Sequence, residues 1–349
     1  MHEHQIPAIS SRKEQHVELC VQQEVQFRQK TNGLERYEFM HNALPELNFT
    51  QIRTDCHCLG YPIGAPLMIS SMTGGYQGAE AINAGLAEIA AELNIPMGLG
   101  SQRQALENAD FHQSFRIVRQ KAPHILIFSN IGAAEIARKK DFSYLQRLID
   151  IADSNALIIH LNPLQELMQP EGDTDFTGVL QGIELAIQQL HIPVIIKEVG
   201  AGISANVART LLNIGVQGID IAGAGGTSWA GVEILRHQQG QEDLQFFWDW
   251  GIPTAECIRQ NQALKGEYAF TLIASGGIQS GPDIAKSIAL GADLAASARP
   301  ILSTYLKSGQ QAAFGMLQQW LLDIRRILFL TGSKDISQLK RPDILRLIS

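Results

Sequence analysis

Short apolar, β-branched runs recur along the chain, each closed by Gly, Ser or Asn and followed by a stretch of helical spacing. Eight such runs fall at residues 66–71, 96–100, 124–129, 156–161, 193–198, 218–222, 270–275 and 293–297. Between them, segments such as 79–93 (AEAINAGLAEIAAEL), 177–190 and 282–290 carry Ala, Leu and Ile at helical intervals, the mark of a helix with one buried face. Strands with few polar positions are buried on both faces, as parallel pairing beneath helices requires. Eight alternating units predict an α/β fold, a closed (β/α)8 TIM barrel over residues 66–349, rather than an open doubly wound sheet. Residues 1–65 are expected to form an N-terminal extension that caps the barrel, with the helix-like stretch 13–27 as a lid. The link 223–269, after the sixth strand, is unusually long and carries Gly-rich and Trp-rich patches, which suits a mobile cover over the site.

Composition narrows the class without changing this picture. The 349 residues are 45% hydrophobic and 18% charged, which fits a packed chain and excludes wholesale disorder. Lys plus Arg number 28 against 35 Asp plus Glu, a net charge of −7 that argues against general nucleic-acid binding. A local basic pocket for a phosphorylated small molecule stays compatible with that total, because affinity follows the local field. No apolar run approaches the ~18 residues of a membrane span, and the N-terminus lacks a basic segment leading into an apolar one. Four scattered cysteines are too few for a disulfide framework, so a cytosolic location is expected.

In a barrel of this kind the site lies at the carboxyl ends of the strands. Those ends read Ser70-Ser71-Met72-Thr73-Gly74-Gly75, Ser101-Gln102-Arg103, Asn130, His160 with Asn162 and Gln165-Glu166, Lys197, the GAGGTS patch at 223–228, Gly276-Gly277, and Ser297-Ala298-Arg299. The last two strands carry a phosphate signal, since glycines let backbone N–H groups reach the oxygens and the next helix presents its positive end. Gly-Gly by itself also serves as a simple turn. Lys197 closes an otherwise apolar strand, so its ammonium should face an anion in the mouth or a carboxylate on a neighbouring strand. Glu198 points the other way by alternation and reads as a structural partner. Glu166 is a single acid, enough for Mg2+ only if a substrate phosphate and waters complete the shell; alone it reads as a solvated loop residue. Arg12, Lys13, His16 and Arg103 can supply positive charge to a diphosphate, although Arg12-Lys13 taken alone is a solvated pair. The Asp55-Cys56-His57-Cys58 run has no second cluster to complete a zinc site, and His124, His191 and His237 show no partner.

Several stretches together resemble the type 2, flavin-dependent isopentenyl-diphosphate Δ-isomerase family. They are Ser11-Arg12-Lys13-Glu14-Gln15-His16, 68–75 (MISSMTGG), 97–104 (MGLGSQRQ), 129–132, 160–171 (HLNPLQELMQPE), 194–202 (VIIKEVGAG), 223–229, 250–254 and 275–278. Arg-Lys-x-x-His, Ser-Gln-Arg and Leu-Gln-Glu are the specific elements; Gly-Gly and Ser-Ala-Arg are shared by many FMN barrels. The resemblance implies interconversion of isopentenyl and dimethylallyl diphosphate with FMN, Mg2+ and a reduced nicotinamide, NADPH, that keeps the flavin reduced. It implies FMN contacts from Ser71, Met72, Thr73, Ser101, Asn130, Lys197, Thr227, Gly276, Gly277, Ser297 and Ala298. It implies substrate contacts from Arg12, Lys13, His16, Ser101, Gln102, Arg103, Asn162 and Gln165, with Mg2+ on Glu166. Gln165, His160 and Lys197 would stand nearest the chemistry, and Trp229 would form a pocket wall. Assembly into tetramers or octamers is also implied.

Moving a double bond requires a proton added at one carbon and another removed nearby. Gln165 does not titrate near neutral pH, and the strand ends show no carboxylic acid pair, so a reduced flavin is the natural proton carrier. A 2-hydroxy-acid oxidase would need a His near the seventh strand end, and residues 273–278 have none. An IMP-dehydrogenase-like enzyme would need a Cys in 223–229, which is also absent. A non-catalytic flavin- or phosphate-sensing barrel predicts bound flavin without turnover.

Overall fold

The computed structural model describes residues 5–137, 139–236 and 242–348, the side chains of 5–12, 242 and 243 excepted. The eight predicted runs all become strands of one closed parallel barrel. They are β1 (Leu67–Ile69), β2 (Met97–Gly98), β3 (Ile127–Gly132), β4 (Ala156–Leu161), β5 (Val194–Glu198), β6 (Gly218–Asp220), β7 (Thr271–Ala274) and β8 (Leu294–Ser297). The ring follows chain order and closes where β8 pairs β1, Ala295 with Leu67 through Ser297 with Ile69. The run expected at 124–129 forms its strand three residues later. Arg119 Nη1 donates to the carbonyls of Ala122, Pro123 and Ile125, holding that stretch as a turn. The strand then continues through polar Asn130, paired to β4 as far as His160.

Strand alternation builds two cores. Met68, Phe128, Ile158, Ile195, Ile273 and Leu294 point inward and fill the barrel, plugged from below by Cys58 and Ile63 of an antiparallel hairpin. Their neighbours Leu67, Ile127, Leu157, Ile159 and Ile196 point outward under the helices. One pleat step above the inner apolar layer, which on β8 ends at Ala296, each strand presents a polar or small inward residue: Ser70, Gly100, Asn130, His160, Lys197, Asp220, Ser275 and Ala298. Position along the strand, combined with a period of two, therefore decides where the polar layer lies.

The N-terminal helix spans Gln5–Gln22 rather than 13–27. Residues after it run extended against the loop beyond β6: Ser228 N donates to Val25 O (2.7 Å) and Phe27 N to Gly226 O (3.1 Å). Trp248 Nε1 donates to Gln26 O (2.8 Å). The described part of the link after β6 is folded, with helices Trp229–Arg236 and Thr254–Gln262 and a 3-10 segment Glu242–Asp249. A short strand Tyr37–Phe39 pairs antiparallel with Leu345–Leu347, fastening the extension to the C-terminal segment. Among the described residues no helix is long and apolar enough to cross a membrane.

Gly276 shows how tightly the upper rim is closed. Its φ is +99°, and an added Cβ would sit 2.6 Å from Gly223 N and 2.8 Å from Gly223 C. Gly276→Ala should lower the unfolding free energy by about 2 kcal/mol or more; a wild-type urea midpoint would contradict this packing.

Candidate active site

The polar layer opens into a cavity of about 500 Å³ at the carboxyl ends of the strands. Of the residues predicted to bind flavin, Ser71, Met72, Ser101, Asn130, Lys197 and Thr227 line it, as do Gly276, Gly277, Ser297 and Ala298 at the β7–β8 end. Lys13, His16, His160, Gln165 and Trp229 line it as well. The Arg12 side chain lies outside the described residues.

Five predicted contacts point elsewhere. Gln102 is fully buried, donating to Leu148 O (3.1 Å) and accepting from Asn130 N (3.0 Å), so it braces β3 instead of reaching the cavity. Arg103 turns outward to Glu135 (3.0 Å) and Glu107 (3.5 Å), because two carboxylates outside the mouth compete for it. The Thr73 hydroxyl is spent on Asn83 Oδ1 (2.5 Å), which leaves its main chain for any ligand. Asn162 donates to Glu166 Oε1 (2.8 Å) and Gln165 Oε1 (3.2 Å), bracing those two side chains. Glu166 also accepts from Asp173 N (2.8 Å) and stays half-buried behind the cavity lining. Among the described residues no three His, Cys, Asp or Glu side chains gather as a metal cluster. Glu166 therefore fits a cation only as the single protein acid in a shell completed by water and phosphate oxygens.

Charges within the mouth are paired or silenced. Lys197 Nζ lies 3.3 Å from Asp220 Oδ2, 3.0 Å from Glu198 O and 3.4 Å from Ser275 Oγ. The structure thus shows the second sequence reading of Lys197, a pairing with a neighbouring strand's carboxylate, on a side chain that also lines the cavity. Glu198 does turn away, its Oε2 accepting from the four successive N–H groups of residues 199–202 at 2.5–3.2 Å. His160 Nδ1 is 2.7 Å from Asn130 Oδ1. An amide oxygen only accepts, so Nδ1 carries the proton and Nε2 is a lone pair. Burial first, then the Lys197 and Lys13 charges, push His160 down to about 4, so the ring is neutral near pH 7.

Glu233 is the main residue that sequence reasoning missed. It is buried on the helix after β6 and lies 2.9 Å from His16 Nε2, while Gln165 Nε2 donates to it at 3.3 Å and Arg236 at 2.6 Å. Burial drives its carboxyl up, but the His16 hydrogen bond and the His16 and Arg236 charges outweigh this and hold it low. Its signal was there to read: Glu233 follows Trp229 by four residues, hence shares a helix face with a predicted wall residue. Lys13 Nζ donates to Ser101 O (2.7 Å) and Gly74 O (2.9 Å), seating the N-terminal helix on the ends of β1 and β2. Arg299 does the same from β8, donating to Cys20 O (2.7 Å).

The donor set suits a phosphorylated, ring-bearing anion. Among the described residues the N–H groups of Gly276 and Gly277 meet no protein acceptor, and the buried Ser71 Oγ has no partner. A phosphate at the first and a heteroaromatic ring between Ser71 and Lys197 would satisfy these groups.

A barrel with such a mouth is that of a flavin enzyme, and residues 8–123 and 161–346 match the FMN-dependent dehydrogenase family. The chain belongs, more narrowly, to the family of isopentenyl-diphosphate delta-isomerases. It is 51% identical to the one from Chlorobium phaeovibrioides over 95% of each chain, and 45% identical to the one from Nostoc sp. over 96% of this chain and 95% of that one. Among solved structures, a putative lactate oxidase of Pediococcus acidilactici superposes with a TM-score of 0.70 at 15% identity, covering 99% of this chain and 94% of that one. A flavocytochrome b2 variant does so at 0.70 and 17%, covering 98% and 85%. At that identity the likeness is one of fold.

The His160 assignment has a measurable consequence. Its ordinary value is 6.5 and its folded value about 4. Below pH 6.5 the unfolded chain therefore binds a proton that the folded one refuses, and stability falls as pH drops through this window. The loss amounts to about 3 kcal/mol in full. His160→Asn should flatten this part of the urea-measured stability profile relative to wild type; identical slopes would place a charged imidazole here.

Proposed function

We propose that this chain interconverts isopentenyl diphosphate and dimethylallyl diphosphate by a 1,3-allylic proton shift, with reduced FMN in the barrel mouth, NADPH as its reductant and Mg2+ on the diphosphate. The observation that supports the reading is a mouth equipped for anions in which, among the described residues, no protein acid–base couple stands free. His160 is neutral, Gln165 does not titrate, and Asp220 and Glu233 are buried against cations. When bound, reduced flavin supplies both the proton donor and the proton acceptor that the alkene needs.

The chain's own residues do the holding. Gly276, Gly277, Ser297 and Ala298 offer a phosphate cradle at the β7–β8 end, where such barrels favour one. Lys197 stabilises negative charge on the ring, in a setting where a fixed ammonium is worth more than in water. Ser71, Met72, Ser101, Asn130 and Thr227 complete the flavin wall, with Thr73 acting through its main chain. Lys13, His16 and Arg12 hold the diphosphate, and Glu166 would ligate Mg2+, which lowers the charge those cations must meet. Gln165, oriented by Glu233, and neutral His160 border the reacting carbons and orient the alkene. The N-terminal helix excludes water above them. Binding energy collected at the diphosphate, remote from the alkene, is what closes that helix. A cytosolic tetramer or octamer is the setting that the family resemblance implies.

Anaerobic incubation of isopentenyl diphosphate with the protein, reduced FMN and Mg2+ should yield the allylic isomer. Unchanged substrate over a demonstrably loaded and reduced flavin would refute the function. Lys197→Ala should cost about 100-fold in turnover or flavin affinity, and wild-type kinetics would remove its role. Glu166→Gln should raise the Mg2+ requirement about 10- to 100-fold while flavin stays bound; an unaltered Mg2+ titration would mean another ligand.

A further inference from the structure

We propose that Asp220 is a positioning residue of the flavin site: its carboxylate fixes the Lys197 ammonium toward the mouth and ties it to the turn that begins at Gly276. The inference rests on the flavin reading above and assigns a role to a residue that neither motif nor phosphate cradle includes.

Asp220 has no solvent exposure, and it touches the upper ends of three strands. Its Oδ2 is 3.3 Å from Lys197 Nζ on β5. Its Oδ1 accepts from Ser275 Oγ (2.5 Å), just past β7, and from Ala222 N (3.3 Å), just past β6. Ser275 immediately precedes Gly276-Gly277. Ala222 sits at φ +34°, a left-handed conformation that costs an alanine free energy and persists only where neighbours enforce it. One carboxylate thus links the Lys197 ammonium to the loop that would hold a phosphate.

The alternative, a purely structural ion pair, explains less. Buried pairs contribute little net stability compared with apolar packing, whereas this one stands at the wall of a cavity. The other groups around Lys197 cannot replace Asp220. His160 from β4 is neutral, Ser275 from β7 is a hydroxyl, and on β5 itself only the main-chain oxygen of Glu198 reaches the ammonium, its carboxylate being turned to residues 199–202. Without Asp220 the ammonium keeps only neutral partners in a desolvated place and gives up its proton more readily as pH rises.

The test is an FMN titration of the full-length chain, read by flavin fluorescence from about pH 6 to about pH 9. The ratio of Kd for Asp220→Asn to that of wild type should climb about tenfold across this range, because the variant's ammonium has lost its one charged partner. In a Lys197→Met background the same substitution should leave the ratio flat. A flat ratio in the single variant, or a climb that survives Lys197→Met, overturns the proposal. Should Asp220→Asn not fold, Ser275→Ala keeps the ion pair but frees Oδ1, and should give a smaller climb of about threefold; a profile parallel to wild type then overturns it. A wild-type chain that takes up no FMN refutes the flavin reading itself, and this role with it.

Discussion

The pleat of the barrel strands constrains everything above it. Because inward residues recur every second position, Ile195 in the packed interior commits Lys197 to the mouth, Ile158 commits His160, and Phe128 commits Asn130. The apolar layer and the polar layer are the same strands read two residues apart. The interior cannot be loosened without moving the site, and a slip of one residue would bury Lys197 under the helices and turn Ile196 into the cavity.

That placement creates an electrostatic problem with a particular solution. Charges that enter the upper layer leave water behind, so each needs a partner. Lys197 meets Asp220, while Glu233 meets Arg236 and His16, and His160 discards its charge altogether. Tyr76 and Cys20, which also line the cavity, are held protonated by burial, so among the described residues no titratable pair is left to cycle a proton at its centre. The mouth becomes a fixed electrostatic mould, suited to holding a cofactor that brings its own proton chemistry. The same commitment explains why a fold shared with oxidases can host an isomerisation: the chemistry follows from what the walls withhold as well as from what they offer.

The legibility of this arrangement from sequence tracks the range of the interactions involved. Strand positions were plain, because parallel buried strands are nearly continuous apolar runs and the period of the chain repeats eight times. Lys197, His160 and Gly276 stood out because they interrupt or close such runs. Asp220 did not, although it interrupts the run 218–222: a single acid among apolar positions shows no partner until β5 is laid beside β6 and Lys197 pairs with it. Glu233 was hidden by the long link, whose Gly and Trp content suggested an open cover where its described part is helical and packed, with Trp248 buried and bonded to Gln26. Gln102 and Arg103 illustrate the converse limit. They sit at a strand end within a specific motif, yet rotamer and local competitors turn Gln102 into the wall and Arg103 toward Glu135 and Glu107. The strand pairing of Tyr37–Phe39 with Leu345–Leu347 joins segments some three hundred residues apart, which no local pattern encodes.

The N-terminal helix shows how remote binding energy can reach the reacting centre. Its Lys13 grips main-chain oxygens at the ends of β1 and β2, its Cys20 carbonyl is held by Arg299 from β8, and its His16 leans edge-on against Trp229 and bonds to Glu233. The helix therefore touches the barrel through the same residues that border the cavity. Under the proposed function a diphosphate at Lys13 and His16 would add to the contacts these residues already make with the barrel, so binding and closure would be one equilibrium rather than two. Through Glu233 that equilibrium extends to Gln165, which takes its orientation from the carboxylate His16 touches. Under the proposed function, recognition of the anionic tail at the N-terminal helix would in this way be mechanically continuous with the orientation of Gln165.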